Sequence, residues 1–203
     1  MSKNSQLLKL RLALDAAITY GTKPAALKLA RQGLRLADKA KLAGEKEYFL
    51  GQLALLKERF TEAIEHFDQA IRHNLKDGAA YNDRALCMVE LGIIDQALVY
   101  FDKGIEVEPD YATVYHNKGW LLNNIGRHSE GVACFKKALV LEPRRAVTYD
   151  NLADALFNLG DYKGALAAYK KVLELLKPGA CRGIRKNILR QMKLIKDEIK
   201  VTV

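Results

Sequence analysis

Proline, tryptophan and cysteine are scarce in this chain, and it contains no long apolar run. Its four prolines and 14 glycines among 203 residues do not gather into the proline-, glycine- or serine-rich stretches of a linker. No apolar stretch reaches the roughly 18 residues of a transmembrane helix, and the N-terminal segment lacks the uncharged apolar core of a signal peptide. We therefore expect a cytoplasmic protein of one domain, 1–203, without a membrane-spanning segment.

The patterns of catalytic and metal-binding sites are also missing. The sequence has no phosphate-binding glycine loop, no His-Glu-x-x-His and no nucleophile elbow. The histidines fall in different predicted helices or seven residues apart, at His66, His73, His116 and His128. We therefore expect no enzyme activity, no metal, no cofactor and no small-molecule substrate.

The cysteines are three, an odd number, and their spacing does not suit a metal site. An odd count also argues against a framework of disulfides. The sequence predicts reduced thiols packed among apolar side chains at Cys87, Cys134 and Cys181.

The net charge of +9 is unevenly distributed. Residues 1–43 contain nine basic and two acidic residues, residues 176–203 contain eight and two, and the middle of the chain contains sixteen and twenty. The basic excess therefore lies at the two ends, where we expect it to solvate terminal helices. A second interpretation is a basic-ended helical-repeat protein that binds nucleic acid or an anionic membrane surface through those helices.

A period of 34 residues runs through the chain, in columns of one residue type. An aromatic column contains Tyr81, Tyr115 and Tyr149, and a column of small residues follows it at Ala85, Gly119 and Ala153. Later in each unit come Ala63, Ala97, Gly131 and Ala165, then Phe67, Phe101, Phe135 and Tyr169. Pro109 and Pro143 close two units, and Pro178 stands one place late. Such self-similarity predicts a stack of like units.

Each unit has the pattern of a helical hairpin. In one of them, apolar and small residues recur at helical spacing over 115–125, Gly126 ends that helix, and a second helix over 129–141 stops before Pro143. Small residues at Gly119 and Gly131 would allow the two helix backbones to approach closely. One hairpin cannot bury both of its faces, whereas a stack can.

These columns resemble the tetratricopeptide repeat. The resemblance implies an all-α solenoid, a right-handed superhelix of antiparallel hairpins. Repeats are expected at 44–77, 78–111, 112–145 and 146–179, after a degenerate repeat at 7–43 with a lengthened second helix. In the unit at 44–77, Lys57 and Glu58 replace the usual Leu-Gly, so we expect that turn to be built differently.

The C-terminal segment, 180–200, is predicted to be a capping helix. Its apolar stripe consists of Ile184, Ile188, Met192, Ile195 and Ile199. Its other face is basic, with Arg185, Arg190, Lys193, Lys196 and Lys200. Terminal units of a solenoid need one solvated face, which these side chains supply.

The resemblance also implies a peptide-binding concave groove lined by the first helix of each repeat. Carried over by position, the groove residues are Asn82, Asp83, Glu90, His116, Asn117, Trp120, Asn124, Asp150, Asn151, Asp154, Phe157 and Asn158. Asn117 and Asn151 resemble the asparagine ladder that hydrogen-bonds a peptide backbone, since a carboxamide both donates and accepts. Trp120 is the expected anchor, with packing between helices as the alternative. The acidic groups favour a segment of some basic character.

The carboxylate clamp that grips chaperone C-termini is not expected here, because its basic positions are occupied by Ala79, Thr113 and Val147. The sequence instead favours an adaptor, scaffold or assembly factor that binds an extended or helical segment of another protein. Nucleic acid is not favoured, because the central first helices carry acids. Self-association by end-to-end stacking stays open.

Overall fold

The computed structural model describes residues 3–176 and 182–201, and all regular structure within those ranges is α-helical. Two compact units divide the chain, Met1–Pro109 and Asp110–Val203, here called unit 1 and unit 2. Pro178 and Cys181 lie outside the described residues.

Unit 1 contains three helical hairpins. Its helices are α1 (Lys3–Tyr20), α2 (Lys23–Ala40), α3 (Ala43–Leu55), α4 (Phe60–His73), α5 (Gly78–Glu90) and α6 (Ile94–Val107). Thr22 caps α2, its hydroxyl accepting from the Ala25 N–H at 3.4 Å. The helix α2 is 18 residues long against 14 for α4 and α6, so the expected lengthening of that second helix is present. The core gathers around Phe49 and Phe67, both fully buried.

Small residues let α2 and α3 pack closely. Ala26, Ala30 and Gly33 are all buried in α2. A Cβ on Gly33 would lie 2.2 Å from the ring of Phe49, so only glycine fits there. The first hairpin therefore stacks on the second in the way that a repeat would.

Unit 2 contains two hairpins and one further helix. These are α7 (Ala112–Asn124), α8 (His128–Leu141), α9 (Ala146–Asn158), α10 (Tyr162–Leu175) and α11 (Arg182–Val201). In the hairpin α7–α8, a Cβ on Gly119 would lie 3.0 Å from the Gly131 carbonyl oxygen, and one on Gly131 would lie 2.9 Å from that of Gly119. The predicted close approach of these two backbones is confirmed.

The helix α11 covers the end of unit 2. Ile188, Met192 and Ile195 are buried against the core of α9 and α10, which confirms the capping helix. Ile184 was expected in the same apolar stripe but is 49% exposed, and the side chains of Ile199 and Lys200 lie outside the described residues. The basic face is exposed at Arg190, Lys193 and Lys196 and half-buried at Arg185.

The turns within the hairpins α3–α4, α5–α6, α7–α8 and α9–α10 share a left-handed residue. Gly92, Gly126 and Gly160 have φ between 76° and 82°, the left-handed region, and Glu58 has φ 63° at the equivalent place. Arg59 donates its N–H to the Ala54 carbonyl as Ile93 does to Met88. Glu58 thus adopts the glycine conformation without glycine's freedom. The Lys57-Glu58 turn still differs from the others, as predicted, because Lys57 donates its N–H to the carbonyl three residues back, at Ala54, where Leu91 donates to the one four residues back, at Cys87.

The cysteines that the structure describes are free thiols, Cys87 buried and Cys134 half-buried. Burial raises the pKa of Cys87 far above its usual range. Among residues 3–176 and 182–201, no helix combines the length and the apolarity needed to cross a bilayer. The single-domain prediction and the repeat boundaries stay predictions.

Candidate protein-binding surfaces

In unit 1, a half-buried arginine connects α1 to the starts of α3 and α5. Arg11 of α1 donates to both carboxylate oxygens of Asp77, at 2.9 and 2.7 Å, and to Glu45 at 3.0 Å. Its guanidinium lies 3.6 Å from the centre of the Tyr48 ring. Burial alone would lower the pKa of Arg11, but the hydrogen bond and charge of Asp77 outweigh it and raise the pKa. Asp77 also accepts from the Ala80 N–H and so caps α5.

Next to this ion pair lies a carboxylate that has only neutral partners. Asp83 accepts hydrogen bonds from Asn82 at 2.9 Å, from the Tyr48 hydroxyl at 3.1 Å, and from Gln52. Burial raises the pKa of Asp83 to about 7 against the effect of the Asn82 bond, and the charge of Asp15 adds to the rise. Ionising Asp83 therefore costs more free energy in the folded chain than in the unfolded chain.

The sequence-predicted residues of unit 1 occupy different environments. Asn82 is 1% exposed, so its side chain is not available to a binding partner and instead hydrogen-bonds to Asp83. Asp83 itself is half-buried, and Glu90 is exposed at the end of α5. Sequence reasoning missed Arg11, because the degenerate first repeat offers no column to align it; its one signal is a lone arginine within the apolar run of α1.

In unit 2, a buried histidine links α7 to α9. The Nδ1 of His116 lies 2.9 Å from the Thr148 hydroxyl, and its Nε2 lies 3.4 Å from the side-chain nitrogen of Asn151. Burial, with the positive charge of Arg145, lowers the pKa of His116 to about 4. The ring is therefore neutral at pH 7, with Nδ1 donating to Thr148 and Nε2 accepting from Asn151. His116 positions Asn151 and is itself only 7% exposed.

A second buried link joins α7 to the start of α9. Arg145 donates to the Thr113 hydroxyl at 2.9 Å and to Glu142 at 3.1 Å, while being 8% exposed. Sequence reasoning missed this contact too. Thr113 occupies one of the positions where the carboxylate clamp requires a basic residue. Here its hydroxyl instead accepts the hydrogen bond from Arg145.

The exposed predicted residues of unit 2 lie on α7 and α9. Trp120 is 36% exposed and Phe157 is 39% exposed, an exposure that full packing between helices would not leave. Asn124, Asp154 and Asn158 are also exposed, whereas Asn117, Asp150 and Asn151 are half-buried. These side chains form what we call the first-helix surface of unit 2.

A cavity of about 440 Å³ opens beside that surface, where α11 follows α9 and α10. Its lining consists of Asn123, Asp154, Phe157, Asn158, Tyr169, Gln191, Leu194 and Ile195. The hydroxyl of Tyr169 donates to Asp154, and burial together with this bond raises the pKa of Tyr169 above its usual range. Burial and the charge of Asp154 raise the pKa of Asp150 to about 6.

No group of three or more histidine, cysteine, aspartate or glutamate side chains suited to a metal ion occurs among the residues that the structure describes. The chemistry at these surfaces is therefore that of hydrogen bonds, aromatic faces and carboxylates. Such groups can bind other molecules.

Sequence comparison identifies the repeats. Models described as "Tetratricopeptide repeat" match residues 12–74, 48–106, 112–145 and 146–177. The Hsp70-Hsp90 organizing protein of Triticum aestivum is 32% identical over 110 residues, 48% of this chain and 18% of that protein. Hsp70-Hsp90 organizing protein 1 of Glycine max is 34% identical over 93 residues, 40% of this chain and 16% of that protein. The chain thus spans less than a fifth of these relatives.

Solved structures share the fold. TTC0263, a thermophilic TPR protein of Thermus thermophilus, has a TM-score of 0.70 at 21% identity, covering 96% of this chain and 98% of that one. MamA has a TM-score of 0.61 at 18% identity over 80% and 93%. YrrB, a TPR protein with an unusual peptide-binding site, has a TM-score of 0.58 at 20% identity over 86% and 88%. The chain is an α-solenoid, a protein–protein interaction module, and belongs to the tetratricopeptide-repeat family.

Proposed function

We propose that this chain is a non-catalytic adaptor whose unit 2 binds an extended or helical segment of a partner protein on its first-helix surface. The observation that carries the proposal is the exposure of Trp120 and Phe157 on α7 and α9. Exposed aromatic side chains beside polar ones are typical of the anchors that dominate protein interfaces. The segment would lie along α7 and α9, where the carboxamides are found.

The asparagine side chains suit backbone recognition. His116 fixes the side-chain nitrogen of Asn151, while the Asn151 oxygen accepts no hydrogen bond from the residues that the structure describes. That oxygen can accept a peptide N–H, at a net gain of about 1 kcal/mol. At the far end of the same helices, Asn158 donates to Asn123 at 3.3 Å, so only part of its hydrogen-bonding capacity is used.

The charge of this surface favours a partner segment with basic character. Asp150 and Asp154 lie one helical turn apart on α9. An acidic segment would meet both carboxylates, and Thr113, where the clamp has a basic residue, is held by Arg145. The similarity to the organizing proteins therefore supports binding to a protein without indicating an acidic tail as the ligand.

The test is binding of peptides selected from a random display library on the full chain. We expect micromolar binders that bind an Asn117→Ala/Trp120→Ala/Asn151→Ala variant at least tenfold more weakly, since the loss of several anchors exceeds about 1.4 kcal/mol. The matched control is Val140→Ala, which removes a 75% exposed apolar side chain from α8 in the same unit. Equal binding by all three proteins, with unchanged helicity, would exclude the first-helix surface.

One observation favours a second candidate function. The helix α11 exposes Arg190, Lys193 and Lys196 together with the apolar Leu189 and Leu194, a combination typical of helices on anionic membrane surfaces. Sedimentation with vesicles of anionic lipid, compared with neutral vesicles at two salt concentrations, distinguishes this function. Binding that requires anionic lipid and is lost with Lys193→Glu/Lys196→Glu would support it.

A further inference from the structure

The cavity beside α11 has a chemistry that the proposed function leaves unexplained. Asp154 lines it, with Asp150 one turn earlier on α9. Asp154 accepts a hydrogen bond from the neutral Tyr169 hydroxyl, and no lysine or arginine among the described residues forms an ion pair with either carboxylate. Burial raises the pKa of Asp150 to about 6, and the charge of Asp154 adds to the rise. The exposed Asp154 thus lines the cavity, and the half-buried Asp150 lies one turn away, with no cation partner for either among the described residues.

The cations of α11 do not supply the missing charge. Arg185 donates to the Leu173 carbonyl at 3.3 Å, and Arg190 donates to Asn187 at 3.3 Å on its own helix. Lys193 and Lys196 are exposed and make no ion pair within the described ranges. Among the described residues, the site is therefore left without a cation of its own.

The chain shows how it holds a cation elsewhere. In unit 1, the guanidinium of Arg11 lies over Tyr48 and binds Asp77. The guanidinium of Arg84 lies 3.7 Å from the centre of the Tyr100 ring and binds Asp68 at 2.6 Å. Both sites combine one aromatic face with one aspartate, which together attract a cation more strongly than either does alone.

The cavity offers the same pair of groups without a lysine or arginine from the residues that the structure describes. Phe157 supplies an aromatic ring and Asp154 a carboxylate, on one turn of α9. Leu194, 54% exposed, and Ile195 supply apolar surface for the methylene groups of a long side chain. Asn123, Asn158 and Gln191 place amide groups at its wall.

We propose that this cavity is a subsite for a lysine or arginine side chain of the segment that binds the first-helix surface of unit 2. The inference rests on the proposed function and adds a specificity to it. A neutral side chain would bury Asp154 further without compensating its charge, and an acidic one would add a third negative charge. A cation with an apolar stem satisfies the Asp154 carboxylate, the ring and the apolar wall together.

The test uses a display-selected peptide and its neutral counterparts. Each lysine of the peptide is replaced by norleucine and each arginine by citrulline, and dissociation constants are measured by fluorescence anisotropy. One replacement is expected to weaken binding to the wild type about tenfold, because the bound segment would cover the charge pair that its cation forms with Asp154. The same replacement should change binding to Asp154→Asn less than about twofold. The asparagine oxygen can still accept from Tyr169, so this variant keeps the local fold.

Glu174→Gln is the matched control, since it removes an exposed carboxylate of α10 that pairs with Lys171 on the same helix. It should retain the tenfold effect. If replacement weakens binding equally in the wild type and in Asp154→Asn, or if norleucine strengthens it, the cation subsite is wrong while the proposed function stands. If the selected peptides bind the Asn117/Trp120/Asn151 variant as tightly as the wild type, or if no peptide is selected, the proposed function is wrong, and so is the subsite.

Discussion

The clearest prediction concerns Asp83, whose ionisation opposes folding of unit 1. An ordinary aspartate has a pKa of about 3.9, whereas burial raises that of Asp83 to about 7. One pKa unit corresponds to about 1.36 kcal/mol, so above pH 7 the ionised group destabilises the folded state by about 4 kcal/mol. The Asp83 side chain is half-buried. The pKa of about 7 already includes hydrogen bonds from neutral donors, which lower it.

The sign of the pH dependence follows from proton binding. Between about pH 4 and pH 7 the folded state holds a proton on Asp83 that the unfolded state has lost, so the contribution of Asp83 to stability falls as the pH rises. Above pH 7 both states are ionised and the contribution is constant. From pH 5 to pH 8 the expected loss is about 3 kcal/mol.

Asp83→Asn isolates the contribution of Asp83 ionisation to stability, because an amide is neutral from pH 5 to pH 8. Urea unfolding followed by circular dichroism should show the variant gaining about 3 kcal/mol relative to the wild type between pH 5 and pH 8. His116 and Asp150 titrate identically in both proteins, so their effects cancel. Glu90→Gln, an exposed change on the same helix, is the matched control. A difference between Asp83→Asn and the wild type that stays constant within about 0.5 kcal/mol from pH 5 to pH 8 would refute the reasoning.

Three further predictions concern packing and turns. Glu58→Gly should stabilise the chain by about 1 kcal/mol, because φ 63° is unfavourable for glutamate, and Gly126→Ala should destabilise it by about the same amount. A destabilising Glu58→Gly or a stabilising Gly126→Ala in urea unfolding would contradict the assigned turn geometry. Arg11→Met should destabilise the folded chain by about 3 kcal/mol, since it leaves Asp77 buried without its cation. A loss below about 1 kcal/mol in the same assay would show that solvent replaces the guanidinium. Gly131→Ala should lower stability by about 1–3 kcal/mol, because its Cβ would lie 2.9 Å from the Gly119 carbonyl oxygen; an unchanged melting temperature would show that α7 and α8 can separate freely.

The sequence predicted the hairpins because their determinants are local. The small residues at Gly119 and Gly131 and the buried Phe135 act within one hairpin, so each repeat displays them at a fixed offset. Glu58 shows the limit of that reasoning. A missing glycine suggests another turn, but the surrounding helices impose the left-handed conformation on a residue that disfavours it.

The buried polar links were harder to predict, since each depends on which side chain faces it from another helix. Arg11 and Asp77 are 66 positions apart, and the first hairpin lacks the aromatic column that would align it with the others. His116 was predicted to face a partner but bonds to Thr148 instead. A sequence column identifies the face of a helix, whereas the contacts across that face depend on side-chain lengths and on burial.

Three links between neighbouring first helices share one spacing. Tyr48 bonds to Asp83, Asn151 to His116 and Asn158 to Asn123, each pair 35 positions apart. The repeat is 34 residues long, so a side chain 35 positions away lies on the first helix of the next repeat, one residue further along. The polar side chains of neighbouring first helices therefore hydrogen-bond to each other as well as facing outward. The carboxamides of Asn151 and Asn158 thus stabilise the stacking of α7 and α9 with their nitrogens. Their orientation is thereby fixed before any partner arrives, which reduces the entropy that a bound segment would have to offset.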